Sequence, residues 1–151
     1  MEITSVNNFK VIGITIRTTN ENAQAATDIP ALWNRFLSEN LIAQIPGKTD
    51  HDIYSIYTDY ELDYTKPYTV LLGCSVHSLA VIPEGFTGKE FAGGNYTKFT
   101  AKGKMTDGIV YQEWTKIWNS DIQRAYTADF EVYGEKSQHP ENAEVDIFIA
   151  V

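Results

Sequence analysis

The sequence predicts an α+β fold. Two copies of one strand–helix–strand–strand unit form a single antiparallel sheet carrying two helices, with a cleft between the halves. Three observations point there. Most of the chain is runs rich in β-branched and aromatic residues, several of them alternating with polar ones at period two. Two stretches, around Ile29 to Leu37 and Val110 to Trp118, instead repeat apolar residues at helical spacing. The same order of elements then occurs twice, at a separation of about 70 residues. At 151 residues the chain reads as one domain, 1–151, with pseudo-repeats over about 9–81 and 89–151. A chain of this size buries roughly two-thirds of its unfolded surface without disulfide staples.

In order, Phe9 to Thr18 reads as a strand, and the polar segment Thr19 to Thr27 as a loop. Asp28-Ile29-Pro30 opens a helix: a carboxylate cap, then a proline in the first turn, where its missing N–H is harmless. Ile29, Leu32, Trp33, Phe36 and Leu37 form its apolar stripe, and it ends before Pro46-Gly47. Asp52 to Glu61 and Tyr68 to Val81 are strands joined by a turn, and Pro83-Glu84-Gly85 with Thr87-Gly88 interrupts the pattern. Lys89 to Lys102 is a strand bent at Gly93-Gly94, since paired glycines weaken a strand interior. Thr106-Asp107 caps a second helix bearing Val110, Trp114, Ile117 and Trp118. Ala128 to Gly134 and Glu144 to Val151 are the closing strands. The halves echo one another: Asp59-Tyr60-Glu61 opposes Asp129-Phe130-Glu131, and Trp33 opposes Trp114. Helices covering a shared sheet leave a groove at the seam between such units.

Composition narrows the function classes. The formal net charge of −8 repels phosphate backbones, and no basic stripe reverses it locally, so direct nucleic-acid binding is not expected. No apolar run approaches the ~20 residues of a membrane span. The N-terminus lacks a basic segment followed by an apolar one, so no signal peptide is visible, and a cytoplasmic setting is expected. Cys74 is the only cysteine and reads as a small buried residue. His51, His77 and His139 are far apart and unaccompanied by acids at ligand spacing, so neither a metal site nor a cofactor is expected. No nucleophile–base neighbourhood or phosphate loop is present. The anomaly is aromatic: nine Tyr, seven Phe and three Trp. Tyrosine keeps a polar tip, so its surplus suggests a lined cleft rather than a sealed core.

Glu131 is the central candidate. The strand around it alternates, placing Phe130 and Val132 on one face and Asp129, Glu131 and Tyr133 on the other. A solvent-facing carboxylate paired with a basic residue explains such a pattern; so does a carboxylate waiting in a pocket for a cation. Around it, Tyr133 is a rim or lining residue, and Trp33 and Trp114 are core anchors or ligand platforms. Tyr111, Trp114 and Trp118 share one helical stripe. Tyr57, Asp59 and Glu61 alternate on one strand face, which makes Glu61 a second acid facing the cleft. Tyr96 and Phe99 serve the core or the rim.

These residues resemble the GyrI-like (gyrase-inhibitor-like) family over essentially the whole chain. The resemblance is carried by Ile29-Pro30-x-Leu32-Trp33, Tyr57-x-Asp59-Tyr60-Glu61 with Tyr68-Thr69-Val70-Leu71-Leu72-Gly73, Gly94-x-Tyr96-x-x-Phe99, Trp114-x-x-Ile117-Trp118, Asp129-Phe130-Glu131-x-Tyr133 and Val145-Asp146-Ile147-x-Ile149-x-Val151. The family shares its fold with effector-binding domains of AraC-type and MerR-type multidrug regulators, and it includes free-standing integron gene-cassette proteins that bind cationic drugs. The resemblance implies a pocket for bulky lipophilic cations between the halves, with Glu131 meeting the positive charge. Nothing before Phe9 reads as a DNA-binding domain, so a sensor or sequestering module is expected rather than a one-chain transcription factor. Two other roles follow from relatives: inhibition of a topoisomerase through the acidic surface, and hydrolysis of reactive electrophiles with Glu131 as general base. A separate regulator or topoisomerase is the protein partner these imply, and exposed edge strands leave homodimerisation open.

Overall fold

The computed structural model describes residues 2–151. Its elements are β1 (Ile3–Val6), β2 (Phe9–Thr18), α1 (Ala25–Ser38), β3 (Ile53–Thr58), β4 (Tyr68–Val76), β5 (Thr87–Phe91), β6 (Gly94–Gly103), α2 (Ile109–Trp118), β7 (Ala128–Tyr133) and β8 (Ala143–Ala150). All eight strands form one antiparallel sheet in the order β1-β6-β8-β7-β3-β4-β2-β5. The two units are visible in it. Strands β2-β4-β3 and β6-β8-β7 have the same internal order, and they meet where β3 pairs with β7.

The sheet curls because its two ends belong to one ribbon. β1 pairs with β6 through Val6↔Gly94, and β2 with β5 through Phe9↔Phe91. These registers form a single ladder, interrupted only at Asn7-Asn8 and Ala92-Gly93. The expected strand from Lys89 to Lys102 is thus two strands divided at Ala92-Gly93: β5 at one edge of the sheet and β6 next to the other. Gly93 is needed there: a Cβ on it would sit 1.9 Å from the Val6 carbonyl oxygen. Gly93→Ala is expected to destabilise by roughly 1–3 kcal/mol, because the backbone must move to make room. Thermal unfolding checks this; an unchanged Tm would show that the fold tolerates a looser crossing.

All eight strands contribute to a core on the inner face of the curl, among them Phe9, Val11, Ile56, Leu71, Phe91, Tyr96 and Phe130. The opposite face packs against the helices through Leu32 and Phe36 of α1, Trp114 and Ile117 of α2, and Ile14, Leu72, Ile147 and Ile149 of the sheet. β7 therefore has protein on both faces. Ala128 to Glu131 are all buried, where the alternation alone suggests a half-buried strand.

Several boundaries differ from expectation. β3 stops at Thr58, because Asp59 has a left-handed backbone (φ 50°) and turns the chain out of the sheet. Asp tolerates that region better than most residues. β4 ends at Val76, short of Val81. α1 begins three residues before Asp28, leaving Pro30 inside it. The Asp28 carboxylate accepts from Thr18 Oγ1 (2.8 Å) and Gln24 Nε2 (3.0 Å) instead of capping the helix. α2 starts after Gly108 (φ 68°), with Met105–Asp107 forming a separate 3-10 turn. Among the described residues no helix is long and apolar enough to cross a membrane.

Candidate functional site

A cavity of about 510 Å³ opens between the two helices and the β3–β7 seam. That volume suits a drug-sized guest. β7 supplies its charged floor. Glu131 stands opposite Ser55 in the β3–β7 ladder, and its side chain faces the helices because its neighbour Phe130 packs inside the curl. It is 2% exposed.

Three neutral donors hold the Glu131 carboxylate. Trp114 Nε1–H donates to Oε2 at 2.6 Å, the Tyr57 hydroxyl to the same oxygen at 2.9 Å, and the Tyr133 hydroxyl to Oε1 at 2.6 Å. Among the described residues no basic side chain lies within ion-pair distance of it. Burial raises the pKa of Glu131 above the ordinary 4.5, while the bonds from Tyr133, Trp114 and Tyr57 pull it down without cancelling the rise. Burial also pushes the Tyr57 and Tyr133 phenols up, and the Glu131 charge adds to the rise, so both stay protonated donors.

The second carboxylate of β7 is treated differently. Asp129 is fully buried. Its Oδ1 accepts the Ala150 N–H at 2.8 Å, and its Oδ2 accepts the Tyr60 hydroxyl at 2.6 Å and Arg124 Nη2 at 2.7 Å. Burial pushes the pKa of Arg124 down, but the charge and hydrogen bond of Asp129, with Tyr60 and Tyr126, together outweigh it and raise it. The Asp129–Arg124 pair is self-neutralising, so the wall keeps the single uncompensated negative charge of Glu131.

Aromatic rings make the rest. Trp33 meets Tyr133 edge-on at 4.7 Å between centroids, and Trp114 meets Tyr57 at 5.4 Å. Tyr64 stacks on Trp118 at 5.6 Å, with Tyr111 edge-on to the same indole at 5.9 Å. Tyr111 is 68% exposed, at the mouth.

Of the residues singled out in the sequence, the structure brings Glu131, Tyr133, Trp33, Trp114, Tyr57, Tyr111 and Trp118 to this one cavity. Glu61 is not there. It lies beyond the end of β3, exposed, because Asp59 breaks the alternation that would have aimed it at the cleft. Tyr96 faces the inside of the curl. Sequence reasoning missed Arg124, Tyr60, Tyr64 and Tyr68, all lining residues. Arg124 left one signal: it is the only Lys or Arg between Lys116 and Lys136, just ahead of the acid-bearing strand.

The sequence from residue 2 to 151 matches the model of a family described as integron-associated effector binding proteins, Cass2. An integron cassette protein from the mobile metagenome of Vibrio cholerae is 34% identical, covering 99% of this chain and 94% of that one, with a TM-score of 0.76. A putative transcriptional regulator of Bacillus subtilis, YobU, is 28% identical over 155 residues, covering 99% of this chain and 96% of its own. The fold recurs in SAV2435, solved bound to tetraphenylphosphonium, at 19% identity and a TM-score of 0.76 over 98% of this chain and 91% of that one. With its whole described length inside the family model and a solved relative at this identity, the chain belongs to the integron-associated effector-binding family.

Proposed function

We propose that this protein captures lipophilic cations, as a sensor or sequestering module, with Glu131 as the counter-charge. The observation that carries the reading is a buried carboxylate held by three neutral donors, with no basic partner among the described residues within ion-pair distance. A desolvated anion of this kind is costly until a positive charge arrives. The rings around it add attraction to the cation's faces, roughly 0.5–2 kcal/mol each. A fold neighbour solved with tetraphenylphosphonium is in keeping with such a guest. Affinities in the micromolar range, roughly −8 kcal/mol, are expected.

The test uses a permanent cation, so that only the protein titrates. The free protein's Glu131 has a raised pKa. Below that pKa a bound cation must drive a proton off the carboxyl; above it the anion is already formed. Tetraphenylphosphonium affinity should therefore climb as pH rises from about the ordinary carboxyl value, by at most about tenfold per unit, and then level off. Calorimetry in buffers of different ionisation enthalpy should show the released proton. A pH-independent affinity, or equal binding of a neutral aromatic of similar size, would sink the reading.

A further inference from the structure

The cavity wall contains a second polar anchor that capture of a simple cation does not use. Arg124 has only 4% of its side chain exposed, yet among the described residues its Nε and Nη1 atoms have no hydrogen-bond acceptor. Only Nη2 is engaged, by Asp129 and, at 3.5 Å, by the Tyr60 oxygen. Aromatic rings surround the guanidinium instead. Its central carbon lies 4.3 Å from the Tyr126 ring centre, 5.7 Å from that of Trp114 and 5.9 Å from that of Tyr64. Cation–π contact offsets the charge, but it leaves the Nε and Nη1 hydrogens unanswered. A buried N–H without an acceptor is one of the costlier features a fold can retain. Two residues on, Tyr126 has a left-handed backbone (φ 56°), uncommon for a bulky residue.

Glu131 and Arg124 both contact one indole. Trp114 gives its N–H to Glu131 and its ring face to Arg124. We propose that the free N–H edge of Arg124 is a ligand-binding site in its own right, and that the preferred guest is an amphoteric aromatic molecule: a cationic group set against Glu131 and a hydrogen-bond-accepting oxygen, carboxylate or carbonyl, set on Arg124. The guanidinium has five donors, so it can serve Asp129 and a ligand oxygen together. This rests on the cation-capture reading and gives the pocket a second requirement, one that discriminates among cations of similar size.

Three xanthene dyes with one cationic core separate the possibilities: tetramethylrosamine, which lacks the carboxyl group, tetramethylrhodamine, its zwitterion, and the rhodamine methyl ester. Wild type should bind at least one of the two oxygen-bearing dyes about tenfold or more tightly than the rosamine, the size expected for a hydrogen bond to a charged donor. A preference for the zwitterion alone would identify a carboxylate guest, and equal preference a carbonyl one. In Arg124→Lys, which keeps a positive charge for Asp129 but loses the guanidinium edge, that ratio should collapse toward one. Because Arg124 also supports the fold, the ratio is the readout, and nitrogen-15 spectra of wild type give a second: the Arg124 Nε–H resonance should shift with the preferred dye and stay in place with the rosamine. If the rosamine binds wild type, loses affinity in Glu131→Gln, and the oxygen-bearing dyes gain nothing over it, the Arg124 site is wrong while cation capture stands. A preference that persists in Arg124→Lys overturns it equally. If none of the three binds, both readings fall.

Discussion

Glu131→Gln should lose lipophilic cations by at least about 30-fold, and it should do so without unfolding. Removing one partner of a desolvated charge pair costs roughly 2–5 kcal/mol of binding. The amide fits the space. Its oxygen can accept from Trp114 and Tyr57, as Oε2 does, and its NH₂ can donate to the Tyr133 oxygen, since a phenol can reverse its hydrogen bond. The unliganded variant should be at least as stable as wild type near neutral pH. A carboxyl whose pKa is raised by folding holds its proton more tightly in the folded protein than in the unfolded chain. Its contribution is therefore fully present below the ordinary carboxyl pKa and is lost as pH rises through the raised one. Gln never ionises and escapes that loss. Dye titration and thermal unfolding at two pH values check both halves. Undiminished binding would remove Glu131 as the counter-charge; a large loss of stability would show that its anion serves the fold.

The opposite behaviour is expected two residues away. Asp129→Asn should destabilise by roughly 3–5 kcal/mol, the usual consequence of leaving a buried charge without its partner. For a domain of this size that is a fall of about 6–20 °C in Tm. The amide cannot satisfy both ends. With its oxygen toward Arg124 and Tyr60, its NH₂ faces the Ala150 N–H; turned over, the NH₂ faces the guanidinium. Urea unfolding would measure the loss. A value under about 1 kcal/mol would mean that water reaches the pair and replaces the missing charge. Two acids on one strand face thus differ in their partners: Asp129 is paired with Arg124, and Glu131, with neutral donors only, is the one proposed for a guest.

That difference was only partly legible in the sequence. The period-two pattern around Glu131 gives its face, and the spacing of Tyr111, Trp114 and Trp118 gives the ring-bearing stripe, because both follow from local geometry. Glu61 looked equivalent to Glu131 by the same logic. It fails because Asp59 is held in a left-handed turn by distant groups: Lys89 Nζ at 2.8 Å from its carboxylate and Arg17 on its carbonyl. The division at Gly93 is also non-local, requiring knowledge that Val6 crosses there. β1 is only four residues long, too short for its β-branched Ile3, Thr4 and Val6 to mark it as a strand. Arg124 sits in a segment without periodicity, and only the folded chain shows that its partner is Asp129.

On the proposed reading, the placement of Glu131 bears on how one pocket would take cations of different shape. The carboxylate stands on an interior strand, laced to β3 on one side and β8 on the other, whereas Trp33, Tyr111 and Trp118 ride on helices packed from outside. Guests of different outline should accordingly superpose at their positive atom and diverge toward their periphery, the helical rings tilting to follow while the fixed point stays put.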